Sequence, residues 1–437
     1  MSGLTQTLLA KEGKITEQMK RVAVKEGRSE EFIRERVADG RIVIPANINH
    51  KNLEPVGIGR ELLTKINANI GNSSLSSCPK EEQTKLQTAL KYGADTVMDL
   101  STGGNITKIR ADLAKCHAPV GTVPVYEMVA RKGADGISRE LMLQVMEEQA
   151  QQGVDYMTIH AGLLRKYVPL AMKRKLGIVS RGGALLAGWM EKNKRENPFY
   201  EFFDDILEIC LKYDVTLSLG DGLRPGCLAD ASDEAQFAEL DTLGELVFRC
   251  RKAGVQAMVE GPGHVPMNEI EMNMKREQEV CGDAPFYILG PVVIDCAPGY
   301  DHLVASMGGM LGAYYGAAML CYVTPKEHIG LPNNEDVRRG VVAFKIAAHA
   351  ADIGLNKPGA RDRDNAISDA RAEFDWDKQF SHAIDEDRAR AYRADAIRES
   401  SAEEIARKHD GKYCTMCGPD FCSVRISARL KEAMKQE

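Results

Sequence analysis

The sequence predicts an α/β protein built on a (β/α)8 TIM barrel, and two observations support this fold class. Eight short apolar runs recur between about residues 85 and 356, and a helical segment follows each of them. Continuous apolar runs are typical of buried parallel strands, and eight β-α units over about 270 residues match a barrel. A doubly wound open sheet is the alternative, but no G-x-G-x-x-G follows the first run.

Residues 1–84 are predicted to form a small N-terminal extension. Polar helices are indicated by TEQMKRVAVKEG and by SEEFIRERVADG, in which Ser29 can cap the helix and Gly40 can end it. A short strand and a turn are expected in RIVIPANINH. The extension therefore precedes the regular β-α alternation.

Residues 85–356 are predicted to form the barrel, with one strand at each apolar run. In chain order the runs are TVMDLST (96–102), VGTVPVY (120–126), DYMTIHAG (155–162), IVSRGG (178–183), TLSLGDG (216–222), QAMVEGPGHV (256–265), PFYILGP (285–291) and AAMLCYVTP (317–325). The alternation stops after residue 356, where the chain becomes charged and helical. Residues 357–437 are therefore predicted to form C-terminal helices and a tail.

Composition and charge narrow the class of protein. The net charge of −6 gives no basic footprint for nucleic acid. The sequence has no run of about 18 apolar residues, the length that a helix needs to span a bilayer. The polar start MSGLTQTLLAKEGKITEQ lacks the apolar core of a signal peptide. We expect a cytoplasmic protein without nucleic-acid or membrane partners. Small buried hydrophobes are expected at most of the dispersed cysteines, namely Cys78, Cys116, Cys210, Cys227, Cys250, Cys281, Cys296 and Cys321.

The carboxyl ends of the predicted strands carry an unusual number of ionisable and aromatic residues. Chemistry in a barrel collects at these ends because they converge on one mouth. We therefore expect an active site that includes Met98, Asp99, Tyr126, His160, Ser180, Arg181, Gly182, Asp221, Gly222, Leu223, Arg224, Glu260, His264, Tyr287 and His328. His160 and Glu260 are the first candidates for acid–base catalysis, since both carry titratable groups at strand ends.

Two glycine-rich segments at strand ends suit phosphate binding. In SRGG and GDGLRPG the glycines let backbone N–H groups approach an anion. The guanidinium group of Arg181 or Arg224 can then form paired hydrogen bonds to its oxygens. The alternative is a tight turn with a solvated arginine.

His264, in EGPGHVP, and His328, in VTPKEH, are candidate metal ligands. Two histidines supply at most half of a metal shell, so spacing alone favours a structural role for them. If they do hold zinc, a zinc-dependent barrel hydrolase that activates water is an alternative function.

The C-terminal tail contains three closely spaced cysteines in KYCTMCGPDFCSV. Cys414, Cys417 and Cys422 form the pattern C-x2-C-x4-C. Three thiolates can hold a [4Fe–4S] cluster and leave one iron open for S-adenosylmethionine, whose one-electron reduction yields an adenosyl radical. A zinc knuckle completed by His409 or another residue is the alternative, although the spacing differs from ordinary zinc fingers. It would suit a non-catalytic nucleotide-binding protein with a zinc-stabilised tail.

Twelve ordered motifs resemble the phosphomethylpyrimidine synthase family, a non-standard branch of radical S-adenosylmethionine enzymes. They cover about residues 40–425 and are IPANINH, KINANIGNSS, ADTVMDLSTG, GTVPVY, GVDYMTIHAG, GIVSRGG, SLGDGLRPG, VEGPGHVP, APFYILGP, APGYDH, LCYVTPKEH and CTMCGPDFC. The resemblance implies a (β/α)8 barrel with a C-terminal cluster-binding segment, commonly in a homodimer whose tails cap the neighbouring barrels. It also implies 5-aminoimidazole ribonucleotide as substrate and an external electron donor.

The same resemblance implies roles for individual residues. Substrate contacts are implied at Asn69, Met98, Tyr126, His160, Ser180, Arg181, Gly182, Asp221, Gly222, Leu223, Arg224, Glu260 and Tyr287. A divalent metal, zinc or iron, is implied at His264 and His328, which reverses the role that spacing favours. The [4Fe–4S] cluster that binds S-adenosylmethionine is implied at Cys414, Cys417 and Cys422.

Two branches of this family share the machinery and differ in product. One makes 4-amino-5-hydroxymethyl-2-methylpyrimidine phosphate for thiamine, and the other makes 5-hydroxybenzimidazole, a cobamide (vitamin B12) lower-ligand base, with release of formate. Two segments differ from the usual sequence of the pyrimidine branch, KCHAPVGTVPVYEM and VVIDCAPGYDHLVASMGGM. The differences include Cys116, His117, Met128, Cys296 and Met307. We therefore predict a radical carbon–carbon lyase, 5-hydroxybenzimidazole synthase, with phosphomethylpyrimidine synthase as the alternative.

Overall fold

Eight parallel strands close into a barrel in which each strand pairs with its neighbours in the sequence and the last pairs with the first. The computed structural model describes residues 5–72, 79–398 and 413–435. The chain divides into two compact units, residues 1–358 and 359–437, and the barrel lies in the first. The predicted (β/α)8 barrel is confirmed.

The strands are short and almost entirely buried, as expected for a barrel wall. They are β1 (Lys65–Ile70), β2 (Thr96–Asp99), β3 (Val120–Thr122), β4 (Tyr156–Ile159), β5 (Thr216–Leu219), β6 (Ala257–Gly261), β7 (Phe286–Leu289) and β8 (Met319–Cys321).

The helices of the first unit comprise three in the N-terminal extension and those that surround the barrel. They are α1 (Gln6–Lys11), α2 (Glu17–Glu26), α3 (Glu30–Ala38), α4 (Pro79–Lys91), α5 (Ile106–Leu113), α6 (Pro124–Lys132), α7 (Arg139–Gln151), α8 (Val168–Ala171), α9 (Arg181–Asn193), α10 (Pro198–Glu201), α11 (Phe203–Tyr213), α12 (Glu234–Ala253), α13 (Ile270–Cys281), α14 (Asp301–Tyr314) and α15 (Asn334–Gly354).

One strand lies where none was predicted, and one predicted strand position is wrong. Strand β1 lies at KINANI, inside the range 1–84 that was predicted as the N-terminal extension, and it pairs with β2 and β8. KINANI alternates polar and apolar residues, so it lacks the continuous apolar run that identified the other strands. IVSRGG is not a strand, because residues 178–180 are irregular and α9 begins at Arg181.

Polar side chains inside the barrel explain the alternation in β1. Tyr156 of β4 donates its hydroxyl hydrogen bond to Asn67 Oδ1 of β1 over 2.7 Å. Asn67 in turn donates to the Tyr287 hydroxyl of β7 over 2.6 Å. The Tyr156 ring lies against Gly121 of β3, where a Cβ would come within 2.2 Å of it. These bonds join three strands across the barrel and satisfy polar groups that would otherwise be costly to bury.

The N-terminal extension has its own apolar core and is joined to the barrel by buried hydrogen bonds. Ser29 caps α3 by accepting a hydrogen bond from the Phe32 backbone, as predicted. Asn47 donates its side-chain amide to the carbonyl of Val154 over 2.7 Å. His50 Nδ1 lies 2.7 Å from Asp155 Oδ2, just before β4. The extension therefore packs on the segment that leads into the barrel wall.

The second unit is helical in its described residues. Its helices are α16 (Asp362–Glu373), α17 (Trp376–Ser381), α18 (Glu386–Arg398), α19 (Gly418–Phe421) and α20 (Ser423–Ala433). Arg393 stacks over the Trp376 ring at 4.1 Å and joins α18 to α17. Across the described parts of the chain, no helix combines the length and apolarity needed to cross a membrane.

Candidate active site

A cavity of about 390 Å³ opens at the carboxyl ends of the barrel strands. Most of the predicted site residues lie in its wall, although they are scattered over more than 250 positions of sequence. Those that line it are Asn69, Met98, Tyr126, His160, Arg181, Asp221, Arg224, Glu260, His264, Tyr287 and His328. The barrel brings them together because parallel strands end at one face.

Five of the predicted site residues do not line the cavity, and one of them, Asp99, is buried and accepts a hydrogen bond from the Ser101 N–H over 2.9 Å. Ser180 caps α9 and its hydroxyl lies 3.1 Å from His160 Nε2. Gly182 packs so closely on the His160 ring that a Cβ would come within 2.2 Å of it. Gly222 and Leu223 are buried in the loop after β5. In this structure these four residues support wall residues rather than line the cavity.

His160 is a buried imidazole that stays neutral. Burial, with the nearby Arg224 guanidinium, lowers the pKa of His160 to about 3. Its Nδ1 has no hydrogen-bond partner among the described residues. At neutral pH this ring can donate one hydrogen bond and accept another, but it carries no charge.

Two acidic groups face one guanidinium in the cavity. Arg224 donates to Asp221 Oδ1 over 2.7 Å. Glu260 Oε1 accepts hydrogen bonds from Thr158 and Ser218 at 2.7 and 2.8 Å. Burial raises the pKa of Asp221 to about 7 and also raises the pKa of Glu260, despite the neighbouring arginine. The Asp221 carboxyl group can therefore gain or lose a proton near neutral pH.

The start of α9 suits an anion. Arg181 is the first residue of this helix, so backbone N–H groups of the first turn point toward the same end. Its guanidinium lies 5.1 Å from the centre of the Tyr126 ring, another part of the cavity wall. Arg181 and Arg224 give the cavity two guanidinium groups, and a helix N-terminus adds a favourable field for phosphate.

His264 and His328 lie side by side, with ring centres 5.2 Å apart. Their Nδ1 atoms lie 2.7 Å from Asp295 Oδ1 and 2.9 Å from Asp301 Oδ1, respectively. A carboxylate on one ring nitrogen orients the other as a metal ligand. The two imidazoles would supply two ligands to a divalent cation, one fewer than the three protein ligands usual at a catalytic zinc.

Some cavity residues were not predicted from the sequence, and two of them, Thr158 and Cys321, lie inside apolar runs. Cys321 of β8, expected to be a small buried hydrophobe, lines the cavity and accepts a hydrogen bond from Asn69 Nδ2 over 3.1 Å. Burial raises the pKa of the Cys321 thiol to about 12, so it is protonated at neutral pH. Thr158 and Glu327 also line the cavity. Cys321 lies in the middle of the last apolar run but at the carboxyl end of β8, so only the strand boundary distinguishes it from the rest of that run.

The three clustered cysteines flank α19 in the second unit. Cys417 precedes the helix and Cys422 follows it, while the Gly418 N–H donates to the Cys414 carbonyl over 3.0 Å. Gly418 has a φ of +63°, which favours glycine at this turn. Three thiols within nine residues are the number that a [4Fe–4S] cluster with one open iron takes from a protein.

No group of three or more histidine, cysteine or acidic side chains in the described ranges is close enough to hold a metal ion. The cysteine triplet is therefore not gathered into a metal site in this structure. His409, the proposed fourth ligand of a zinc knuckle, and Cys78 both lie outside the described residues.

A (β/α)8 barrel whose mouth gathers arginine, histidine and carboxyl groups around a polar cavity defines an enzyme. The family model described as the radical SAM ThiC family matches residues 5–429. The chain belongs to this family, and the resemblance found in the motifs is confirmed. The family's description implies S-adenosylmethionine and an iron–sulfur cluster.

Three relatives similar to this chain are named phosphomethylpyrimidine synthase. The phosphomethylpyrimidine synthase of Natronomonas pharaonis is 57% identical over 98% of this chain and 89% of its own length. That of Haloarcula marismortui is 56% identical over 97% of this chain and 87% of its own. That of Halobacterium salinarum is 54% identical, with coverages of 98% and 89%.

Proposed function

We propose that this protein is a phosphomethylpyrimidine synthase, a radical S-adenosylmethionine enzyme of thiamine biosynthesis. It converts 5-aminoimidazole ribonucleotide into 4-amino-5-hydroxymethyl-2-methylpyrimidine phosphate. The observation that carries the proposal is the identity of 57% with a relative of that name along almost the whole chain.

The predicted 5-hydroxybenzimidazole product is not supported. The named relatives belong to the pyrimidine branch. The five sequence departures that favoured the benzimidazole branch also lie away from the cavity wall, at Cys116, His117, Met128, Cys296 and Met307. Met128 is buried in the core, and His117, Cys296 and Met307 are exposed. They are therefore poor candidates for steering a common substrate to a different product.

The cavity offers a group for each part of the substrate. Arg181 and Arg224 suit the phosphate, because two guanidinium groups and a helix N-terminus favour a dianion. Asp221 and Glu260 suit the amino-imidazole, as hydrogen-bond acceptors that can also hold a proton. His160 supplies a neutral ring that can hydrogen-bond the ribose or the base without adding charge.

Two further groups complete the proposed enzyme. Cys414, Cys417 and Cys422 supply three thiolates to a [4Fe–4S] cluster, which when bound provides the electron that cleaves S-adenosylmethionine. His264 and His328 supply two imidazoles to a divalent cation, with Asp295 and Asp301 holding the rings. We also propose a homodimer and an external electron donor, as the family resemblance implies. The zinc hydrolase hypothesis gains no support from the family.

Product identification tests this proposal. Anaerobically reconstituted enzyme is reduced and incubated with 5-aminoimidazole ribonucleotide and S-adenosylmethionine, and the products are identified by mass. A phosphorylated pyrimidine is expected. A phosphate-free benzimidazole would restore the other branch, and no consumption of substrate by fully reconstituted enzyme would contradict both.

A further inference from the structure

The loop after β5 carries two cavity residues, Asp221 and Arg224, and is held from behind by side chains that do not line the cavity. Glu239 Oε2, on α12, accepts a hydrogen bond from the Leu223 N–H over 2.6 Å. Arg174 donates to the Leu223 carbonyl over 2.7 Å. Both polar groups of the Leu223 backbone are therefore bound to side chains from other parts of the barrel.

Glu239 is unusual because it is buried and uses only one of its two carboxyl oxygens. The residue is 2% exposed. Its Oε1 has no hydrogen-bond partner within the described residues. A Cβ added to Gly222 would lie 3.0 Å from this oxygen, so Glu239 packs tightly on the loop. Burial raises the pKa of Glu239 to about 8, so the carboxyl group is largely protonated at neutral pH.

A small cavity of about 20 Å³ lies next to Glu239. Its lining includes Asp221, Glu260, Gln236 and Asn273. Asp221 Oδ2, like Glu239 Oε1, is buried without a hydrogen-bond partner in the described ranges. The cavity has room for one water molecule; Leu240, Leu243 and Phe286 supply apolar lining, and the two unpartnered oxygens offer the water hydrogen bonds.

We propose that Glu239 is a positioning residue: through Leu223 it fixes the segment that presents Asp221 and Arg224 to the substrate. A water molecule in the small cavity joins its second oxygen to Asp221 Oδ2. The effect of Glu239 on the substrate rests on the proposed function. The hydrogen bond from the Leu223 N–H to Glu239, called the loop anchor below, does not depend on which ligand binds.

Three variants separate this role from a general cost of changing a buried acid. Glu239→Gln keeps an acceptor for the Leu223 N–H, whereas Glu239→Leu removes it. Glu239→Asp shortens the side chain by one methylene and so moves the carboxyl group away from the Leu223 N–H. It replaces the leucine variant in the test if that variant does not fold. Glu277→Leu is the control, since Glu277 is 1% exposed on α13 and lines neither cavity.

Hydrogen exchange of the Leu223 amide reads out the anchor directly. In the leucine and aspartate variants exchange is expected to rise at least about tenfold, because a buried N–H has lost its partner. In Glu239→Gln and Glu277→Leu it should stay within about twofold of wild type. If the Leu223 amide exchanges at the wild-type rate in Glu239→Leu or Glu239→Asp, the proposal is overturned.

Kinetics with 5-aminoimidazole ribonucleotide then connect the anchor to the site. We expect kcat/KM to fall between about tenfold and a hundredfold in Glu239→Leu, because a small displacement of Asp221 and Arg224 is costly. Glu239→Gln should recover most of this loss, and Glu277→Leu should show none. Equal losses in both leucine variants would overturn the specific role. If wild type does not bind this substrate, the proposed function fails while hydrogen exchange still decides the anchor.

The water bridge has its own test. A crystal structure of the wild-type enzyme at a resolution that shows ordered water should place one molecule within hydrogen-bonding distance of Glu239 Oε1 and Asp221 Oδ2. A dry cavity in that structure would overturn the bridge.

Discussion

Asp295 and Asp301 decide which nitrogen each cavity histidine offers to a ligand. Because Asp301 holds the Nδ1 side of His328, Nε2 is left for a cation. Asp301→Asn removes the charge while keeping the size, so we expect the dissociation constant for Zn²⁺ to rise between about tenfold and a hundredfold. A competition titration with a chromophoric chelator measures it.

The control for Asp301→Asn is Asp362→Asn, which changes a first-turn aspartate of α16 in the second unit. This variant should bind zinc as wild type does. Unchanged affinity in Asp301→Asn would show that the carboxylate does not support a metal ligand.

Burial of His160 makes stability depend on pH. The pKa of His160 is lowered to about 3 in the folded protein, from an ordinary value of 6.5. As the pH falls below 6.5, His160 therefore becomes protonated in the unfolded chain while it stays neutral in the folded protein. This group should cost about 1.4 kcal/mol of unfolding free energy for each pH unit between 6.5 and 3, and nothing above that range.

Urea unfolding of wild type and His160→Gln at pH 7.5 and pH 5.5 tests this cost. The loss of stability between the two pH values should be smaller in the variant by about 1.4 kcal/mol. His117→Gln, at an exposed histidine, should keep the wild-type loss. An identical loss of unfolding free energy in His160→Gln and wild type would show that His160 is protonated equally in the folded and unfolded protein.

Residue types at strand ends predicted much of the cavity, and the exceptions have physical reasons. His160, Asp221 and Glu260 were found because a polar residue follows an apolar run. Cys321 was missed because a thiol inside such a run looks like any small hydrophobe. Ser180 and Gly182 were expected at the substrate but pack behind His160, and sequence alone does not distinguish a wall from its support.

At the scale of single elements, strand prediction failed where the barrel interior is polar. IVSRGG has the apolar start of a strand, yet Ser180 caps α9 there. KINANI looks unlike a buried strand, yet Asn67 is fully buried. Its neighbours Tyr156 and Tyr287 supply hydrogen bonds that only the closed barrel provides. A pattern read along the chain cannot show partners that come from across it.

The Tyr156 hydroxyl should therefore stabilise the barrel. Tyr156→Phe removes the single hydroxyl proton that lies within reach of Asn67 Oδ1 and the Val97 carbonyl, at oxygen–oxygen distances of 2.7 and 3.1 Å. We expect the free energy of unfolding to fall by about 1 to 2 kcal/mol, because buried acceptors lose a donor. Tyr300→Phe, at a 62% exposed tyrosine, is the control and should change little in the same urea titration. Equal midpoints would show that the interior bonds contribute nothing net.

At the scale of the whole molecule, the two units carry different parts of the proposed chemistry. Every residue that lines the cavity at the barrel mouth lies in residues 1–358, and the cysteine triplet lies in residues 359–437. The family resemblance predicted both parts, because its motifs span both units. The arrangement of the thiols could not be predicted from spacing, since ligand geometry in such a segment depends on the metal that it binds.

Loss of one cluster thiol should therefore abolish the chemistry and leave substrate binding intact. Wild type, reconstituted without air, should hold about four irons per chain and show a broad visible absorbance that dithionite bleaches. Cys417→Ala should retain little of this iron and form no pyrimidine, because only two thiolates remain. Its affinity for 5-aminoimidazole ribonucleotide, measured by calorimetry, should stay within about twofold of wild type, since none of the side chains that line the cavity is changed.

Cys296→Ala provides the matched control, because Cys296 is an exposed cysteine of the first unit. It should hold as much iron as wild type and turn over normally. Full iron content in Cys417→Ala would remove the triplet as the cluster site. Loss of iron together with loss of substrate affinity would instead show that the bound cluster shapes the cavity, so that the separation of binding and radical generation between the two units would not hold.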